Sequence, residues 1–84
     1  MRDECGWRVL LRFGCRGDDV ARAAALAGYY LALVMERVEK APFPGERVFE
    51  FEGDGYEVRA KVRVETGEGA GKVFMTMDVD LEDE

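Results

Sequence analysis

The side chains with the greatest chemical potential in this sequence are three alternating acidic residues near its end. Asp78, Asp80 and Glu82 follow one another at every second position, a spacing that places all three carboxylates on one face of a strand. Carboxylate oxygens are the ligands that hard divalent cations prefer. These are the metal candidates of the chain, but a strand holds them side by side without wrapping around an ion. We therefore expect a solvated acidic edge, no bound metal and no cofactor.

The two cysteines flank the first predicted strand. Cys5 and Cys15 are separated by extended chain, which places their Cα atoms on the order of 30 Å apart, whereas a disulfide needs a separation below about 7 Å. Two cysteines without a histidine also make a poor metal set. We expect both thiols to be reduced, and a disulfide between chains is the main exception.

The residue inventory argues against an enzyme. The chain has no His, Ser, Asn or Gln, so it lacks the usual neutral-pH base, the serine triads and the amide oxyanion donors. The segment from Thr66 to Lys72 superficially resembles a phosphate-binding loop, but Thr66 replaces the first glycine of that motif and Val73 replaces its Ser or Thr. We predict a hairpin turn at this segment and no enzymatic activity.

Charge and hydropathy restrict the partners. The 84 residues carry a net charge of -6, and no segment concentrates Lys or Arg, so we expect no contact with nucleic acid. The uncharged run from Ala23 to Met35 is too short to span a bilayer, and no signal-peptide pattern precedes it. We expect a cytoplasmic protein with no membrane contact.

The set of residue types is itself unusual. His, Ser, Asn, Gln and Ile are all absent, which indicates selection rather than chance. One explanation is a thermostable protein of a hyperthermophile, for instance an archaeon with a GC-rich genome, because thermolabile amides are lost at high temperature. The other explanation is a de novo designed sequence.

The periodicity of the chain predicts one α+β domain over residues 1–84 with the order β-α-β-β-β. Alternating apolar residues predict strands over about 6–13, 46–52, 56–65 and 72–81. A helix is predicted over about 19–40, with Asp18 or Asp19 as its N-cap and with Pro42 and Pro44 preventing its continuation. We expect this long helix to pack on one face of a mostly antiparallel four-stranded sheet whose other face is charged.

Cross-strand charges predict the register of the two hairpins. A type I′ turn at Asp54-Gly55 pairs Glu50 with Arg59 and Glu46 with Arg63, and the second hairpin pairs Glu65 with Lys72.

The first strand has Trp7, Val9, Leu11 and Phe13 on the face that we expect to be buried, with Arg8 and Arg12 on the other face. Charge does not decide where this strand joins the sheet.

The helix carries two apolar stripes. The stripe expected to face the sheet comprises Val20, Ala24, Ala27, Leu31, Val34 and Val38. A single sheet covers only one side of a helix, so the second stripe is predicted to contact a partner. The predicted partner-binding residues are Ala25, Leu26, Gly28, Tyr29, Ala32 and Leu33. Phe43, between two prolines, either caps the core or anchors a partner, and it is included in this set.

These features predict a non-enzymatic protein-protein interaction or assembly module that forms a homodimer through the outer face of its helix, or that binds a different protein. The alternative is a small-molecule or divalent-metal-binding protein. Such a protein would use a pocket between helix and sheet near Trp7 and the tyrosines, or the acidic edge of the fourth strand.

Overall fold

The computed structural model describes residues 6–67 and 70–82. The elements follow in the order β1 (Trp7–Arg16), α1 (Val20–Lys40), β2 (Gly45–Gly53), β3 (Tyr56–Gly67) and β4 (Ala70–Leu81). The predicted α+β fold, with one helix packed on a four-stranded sheet, is confirmed. Cys5 and the centre of the predicted Thr66–Gly71 turn lie outside the described residues.

The sheet has the strand order β1-β4-β3-β2. Strands β2, β3 and β4 form two antiparallel hairpins, whereas β1 lies parallel to β4 at one edge. The predicted hairpin registers are confirmed, with Glu50 opposite Arg59 and Glu65 opposite Lys72. Because α1 connects β1 at one edge to β2 at the other, it crosses over the two central strands.

The turn between β2 and β3 forms at the predicted dipeptide but not with the predicted geometry. Gly55 has a φ of 84°, and no described non-glycine residue has a positive φ. A type I′ turn requires positive φ at both central residues, so Asp54 excludes it. A single positive φ at the second central position is the arrangement of a type II turn.

The helix begins and ends as predicted. The carboxylate of Asp19 accepts a hydrogen bond from the backbone N–H of Arg22 at 3.0 Å, the role of an N-cap. At the other end the N–H of Ala41 donates to the carbonyl of Arg37, and Pro42 prevents a further turn. No helix in residues 6–67 and 70–82 is both long and apolar enough to cross a membrane.

The core lies between the helix and the central strands. The helix contributes Ala23, Ala27, Tyr30, Val34 and Val38. Strands β3 and β4 contribute alternate residues, namely Val58, Ala60, Val62, Val64, Val73, Met75, Met77, Val79 and Leu81.

The helix is rotated relative to the prediction. Val20 is 59% exposed and Ala24 is exposed, so two of the residues expected to face the sheet do not. At 100° per residue, the buried stripe lies roughly 40° from the predicted one. The rotation follows from Tyr30, whose ring stacks on Phe51 with centroids 4.5 Å apart and whose hydroxyl hydrogen-bonds the Tyr56 hydroxyl at 2.7 Å.

Candidate interaction surfaces

The fold leaves apolar side chains of β1 uncovered on the helix side of the sheet. Val9, Leu11 and Phe13 share a face with buried residues of β4 such as Met75, yet they are 40%, 41% and 38% exposed. The prediction that this face of the strand is buried is therefore wrong. The helix lies over the two central strands and does not extend across the edge strand.

The opposite face of β1 is apolar at its middle. Leu10 is 46% exposed and lies beside the half-buried Phe74 of β4. The four exposed apolar side chains of β1, three on the helix side and Leu10 on the other face, together present on the order of 300 Å² of apolar surface. That is the lower end of the range for the largest apolar patch on a monomeric protein, and such patches are often functional. We call Val9, Leu10, Leu11 and Phe13 the β1 edge patch.

Strand β1 extends beyond the predicted end at about residue 13, because Gly14–Arg16 continue the strand. They pair with β4, placing Gly14 beside Asp78 and Arg16 beside Asp80. Gly14 permits this pairing because the carboxylate occupies the space of a side chain: a Cβ atom on Gly14 would lie 2.6 Å from Oδ1 of Asp78. The pairing is a long-range interaction, so it is invisible to local sequence patterns.

The backbone of β1 presents hydrogen-bonding groups to its outer side. The N–H of Gly71 donates to the carbonyl of Gly6 at 2.7 Å, which shows that the even-numbered residues of β1 direct their backbone groups toward β4. By alternation, the N–H and C=O groups of Val9, Leu11 and Phe13 point outward. Within residues 6–67 and 70–82 no strand pairs with this side of β1.

The opposite edge of the sheet is better protected. On β2, the carboxylate of Glu46 lies 4.0 Å from Nζ of Lys61, and the carboxylate of Glu50 lies 3.6 Å from Nε of Arg59. Charged side chains along an edge discourage the addition of another strand. The charges of β1 are all arginines on the face away from the helix, so its helix-side face is entirely apolar from Val9 to Phe13.

The predicted partner-binding residues of the helix divide into two groups. Leu26 and Leu33 are half-buried and pack against the core, a consequence of the rotation of α1. The others remain on the outer surface, and only Tyr29, 61% exposed, has a large side chain. The outward group consists of Ala25, Gly28, Tyr29 and Ala32.

Phe43 lies in the core, with 7% of its surface exposed. Its ring packs near Phe49, and the guanidinium of Arg47 covers it at 4.4 Å from the ring centroid. Of the two expected roles, the structure therefore shows the capping of the core below the end of α1.

The acidic residues of β4 do not converge with other ligands. Among the residues that the structure describes, no three His, Cys, Asp or Glu side chains come together at a metal-binding distance. Asp80 lies 3.9 Å from Arg16, Asp78 borders Gly14, and Glu82 uses its N–H to bond the carbonyl of Gly55. The acidic face of β4 is thus placed beside the arginine-bearing face of β1.

The structure does not bring Trp7 and the tyrosines together around one pocket, because Trp7 pairs with Gly71 at one end of β4 and Tyr56 pairs with Leu81 at the other. The hydrogen bond with Tyr56, and secondly burial, raise the pKa of Tyr30 to about 12. A shallow groove lies instead at the β2–β3 hairpin, where the ion pair of Glu50 and Arg59 occupies part of the wall. It is lined by Glu50, Phe51, Glu52, Glu57, Val58 and Arg59.

The β1 edge patch is the surface that sequence reasoning missed. The available signal was Leu10, an apolar residue between two arginines on a face expected to be charged. Strands with apolar residues on both faces are usually covered on both faces by other parts of a protein.

No protein-family model matches this chain, and no curated protein or solved structure resembles it significantly. The case for function therefore depends on the chain's own residues.

Proposed function

We propose that the protein is a non-enzymatic assembly module that associates with a second copy of itself through the outer edge of β1. The observation that carries this proposal is the β1 edge patch, in which Val9, Leu10, Leu11 and Phe13 are 38–46% exposed beside outward-pointing backbone groups. The helix-side face of this edge carries no charge between Val9 and Phe13, and an edge with unpaired backbone groups is a template for the addition of another strand.

The area of the patch supports a second copy as the occupant. Two chains together contribute roughly 600 Å² of apolar surface, about the apolar half of an interface of roughly 1,200 Å². That is the lower end of the standard range for specific complexes. Two identical edges also satisfy each other's backbone donors and acceptors, because antiparallel pairing of a strand with itself is symmetric.

The outer strip of the helix, defined by Ala25, Gly28, Tyr29 and Ala32, is the rival surface for self-association. Three of its four residues are Ala or Gly, which bury little apolar area, and its one large side chain, Tyr29, has a polar tip, so this strip supplies less of the driving force than the β1 edge patch. The two surfaces lie on different elements and can be tested separately.

The test measures oligomeric state by sedimentation velocity or light scattering over a range of concentrations. We expect the unmodified chain to dimerise in the micromolar range, Leu11→Lys to be monomeric, and Ala32→Glu to dimerise like the parent. Lysine at an edge opposes strand addition, and both positions are exposed in the single chain. Circular dichroism verifies that each variant is folded.

Two outcomes would contradict the proposal. A parent chain that stays monomeric up to about 1 mM, a ceiling that corresponds to roughly 4 kcal/mol of binding free energy, would exclude functional self-association. If Ala32→Glu dispersed the dimer and Leu11→Lys did not, the dimer contact would lie on the helix and not on β1. Leu33→Glu is unsuitable as a test because Leu33 packs against the core.

A further inference from the structure

We infer that the two copies pair β1 with β1 in antiparallel orientation and in a single register, with Leu11 facing Leu11 and with reciprocal ion pairs between Arg8 of one copy and Asp78 of the other. This inference rests on the proposed self-association and specifies its geometry. Three features of the structure support it.

The first feature is the direction of the backbone groups. The outward N–H and C=O groups of β1 belong to odd-numbered residues, because Gly6 directs its carbonyl toward β4. Antiparallel hydrogen-bonded pairs must therefore join odd residues with odd residues. Such pairing keeps both helices on one face of a continuous sheet, so Val9, Leu11 and Phe13 of both copies form one apolar floor between them.

The second feature is the position of the arginines. If the symmetric strand pair is centred on Leu10, each Arg8 lies opposite an Arg12 of the other copy. If it is centred on Arg12, the two Arg12 residues face each other and each Arg8 lies opposite an Arg16. Like charges directly opposite each other destabilise a strand pair. A pair centred on Val9 or on Phe13 avoids this repulsion but shortens the overlap and leaves one apolar residue of the patch without a partner.

The register centred on Leu11 keeps the arginines of the two copies apart and gives every residue of the β1 edge patch a partner on the other strand. Each Val9 faces a Phe13 on the helix side, so apolar residues meet apolar residues. On the other face Arg12 lies opposite Leu10, and no arginine lies opposite another.

The third feature is the gap at Gly14. In this register Arg8 of one copy lies opposite Gly14 of the other, whose neighbour on β4 is Asp78. Two strand spacings place the Cα atoms of Arg8 and Asp78 about 10 Å apart, a distance that the two side chains together can bridge. Gly14 has no side chain to obstruct them, and the carboxylate of Asp78 already lies over it, 2.6 Å from the position of a Cβ atom.

Charge exchange tests the inference. Arg8→Asp and Asp78→Arg should each raise the dimer dissociation constant about tenfold, because each creates two like-charge contacts per dimer. The double variant Arg8→Asp with Asp78→Arg should return it to within about threefold of the parent value, because the ion pairs are re-formed with exchanged charges. Arg12→Asp is the matched control on the same strand and face, and it should not rescue Asp78→Arg.

Hydrogen exchange gives a second measurement that does not depend on a variant being well folded. In the parent dimer the amides of Val9, Leu11 and Phe13 should be protected, and dilution to monomer should remove that protection. The amides of Leu10 and Arg12, which point toward β4, should be protected in both states.

The outcomes separate this inference from the proposed function. A dimer that Leu11→Lys disperses but that is indifferent to Arg8→Asp and Asp78→Arg would overturn the register and leave self-association through β1 standing. A dimer in which the outward amides of β1 exchange freely would overturn the strand pairing and, with it, the proposed edge contact. A parent chain that is monomeric at every concentration would overturn both.

Discussion

At the scale of single residues, Tyr30 joins the helix to two strands of the sheet. Its ring lies flat on Phe51, and its hydroxyl meets that of Tyr56. These contacts rotate α1 toward β2, bring Leu33 against the core and leave Val20 in solvent. Tyr30 was not among the residues predicted to face the sheet, but the Tyr56 hydroxyl within reach of its own hydroxyl makes its burial favourable.

We predict that Tyr30→Phe lowers the thermal midpoint at neutral pH by a few degrees, because the hydroxyl of Tyr56 loses its partner. The hydrogen bond with Tyr56 raises the pKa of Tyr30 to about 12, above the value of about 10 for an unfolded tyrosine. The folded chain thus holds this proton more tightly. The contribution of this proton to the unfolding free energy is fully present below a pH of about 10 and is lost as the pH rises toward about 12.

Denaturant unfolding at a series of alkaline pH values checks this prediction. The decline in unfolding free energy above a pH of about 10 should be shallower in Tyr30→Phe than in the parent. Tyr29→Phe is the control, because that ring is 61% exposed. An identical alkaline decline in the parent and in Tyr30→Phe would show that the hydroxyl pair contributes nothing.

At the scale of elements, the helix and the strands differ in how local their determinants are. The N-cap of α1 is a contact between residues three positions apart, Asp19 and Arg22. The end of α1 is set by Pro42, again a local effect. The bounds of β1 depend instead on its pairing with β4, which is distant in sequence.

We predict that Asp19→Ala destabilises the fold by about 1 kcal/mol, because the N–H of Arg22 loses its acceptor at the first turn of the helix. The neighbouring Asp18→Ala should change the unfolding free energy by less than about 0.5 kcal/mol. Urea unfolding of the parent chain, Asp19→Ala and Asp18→Ala gives both changes in unfolding free energy. Equal losses in the two variants would mean that the effect is one of net charge rather than of capping.

At the scale of the whole molecule, one helix is too narrow to cover a four-stranded sheet. Most inner-face residues of the central strands are buried, whereas Val9, Leu11 and Phe13 of β1 keep about two fifths of their surface exposed. The far edge is covered better because Tyr30 and Phe43 extend over β2. Association with a second copy would supply the cover that β1 lacks.

We predict that the thermal midpoint of the parent chain rises with protein concentration, since dimerisation stabilises the folded state by mass action. Leu11→Lys should show a midpoint that is independent of concentration over the same range. Scanning calorimetry or circular dichroism at concentrations spanning about two orders of magnitude makes the comparison. A parent midpoint that does not move would argue against a folded dimer.

The sequence alone determined the order of elements, the limits of the helix and the register of both hairpins. Each of these depends on neighbouring residues or on a short turn that holds two strands together, as with Glu50 opposite Arg59. Local periodicity, capping and cross-strand charge are sufficient for such features.

The position of β1, the rotation of α1 and hence the exposed apolar residues depend on contacts between elements that are distant in sequence. Strand β4, which pairs with β1, is separated from it by most of the chain. The arginines of β1 suited a position beside either β4 or β2, so charge did not identify its neighbour. The rotation of the helix depends on the meeting of Tyr30 with Tyr56, two residues on separate elements. An alternating pattern identifies the face on which a residue lies, but the amount of surface that is covered depends on what lies above that face.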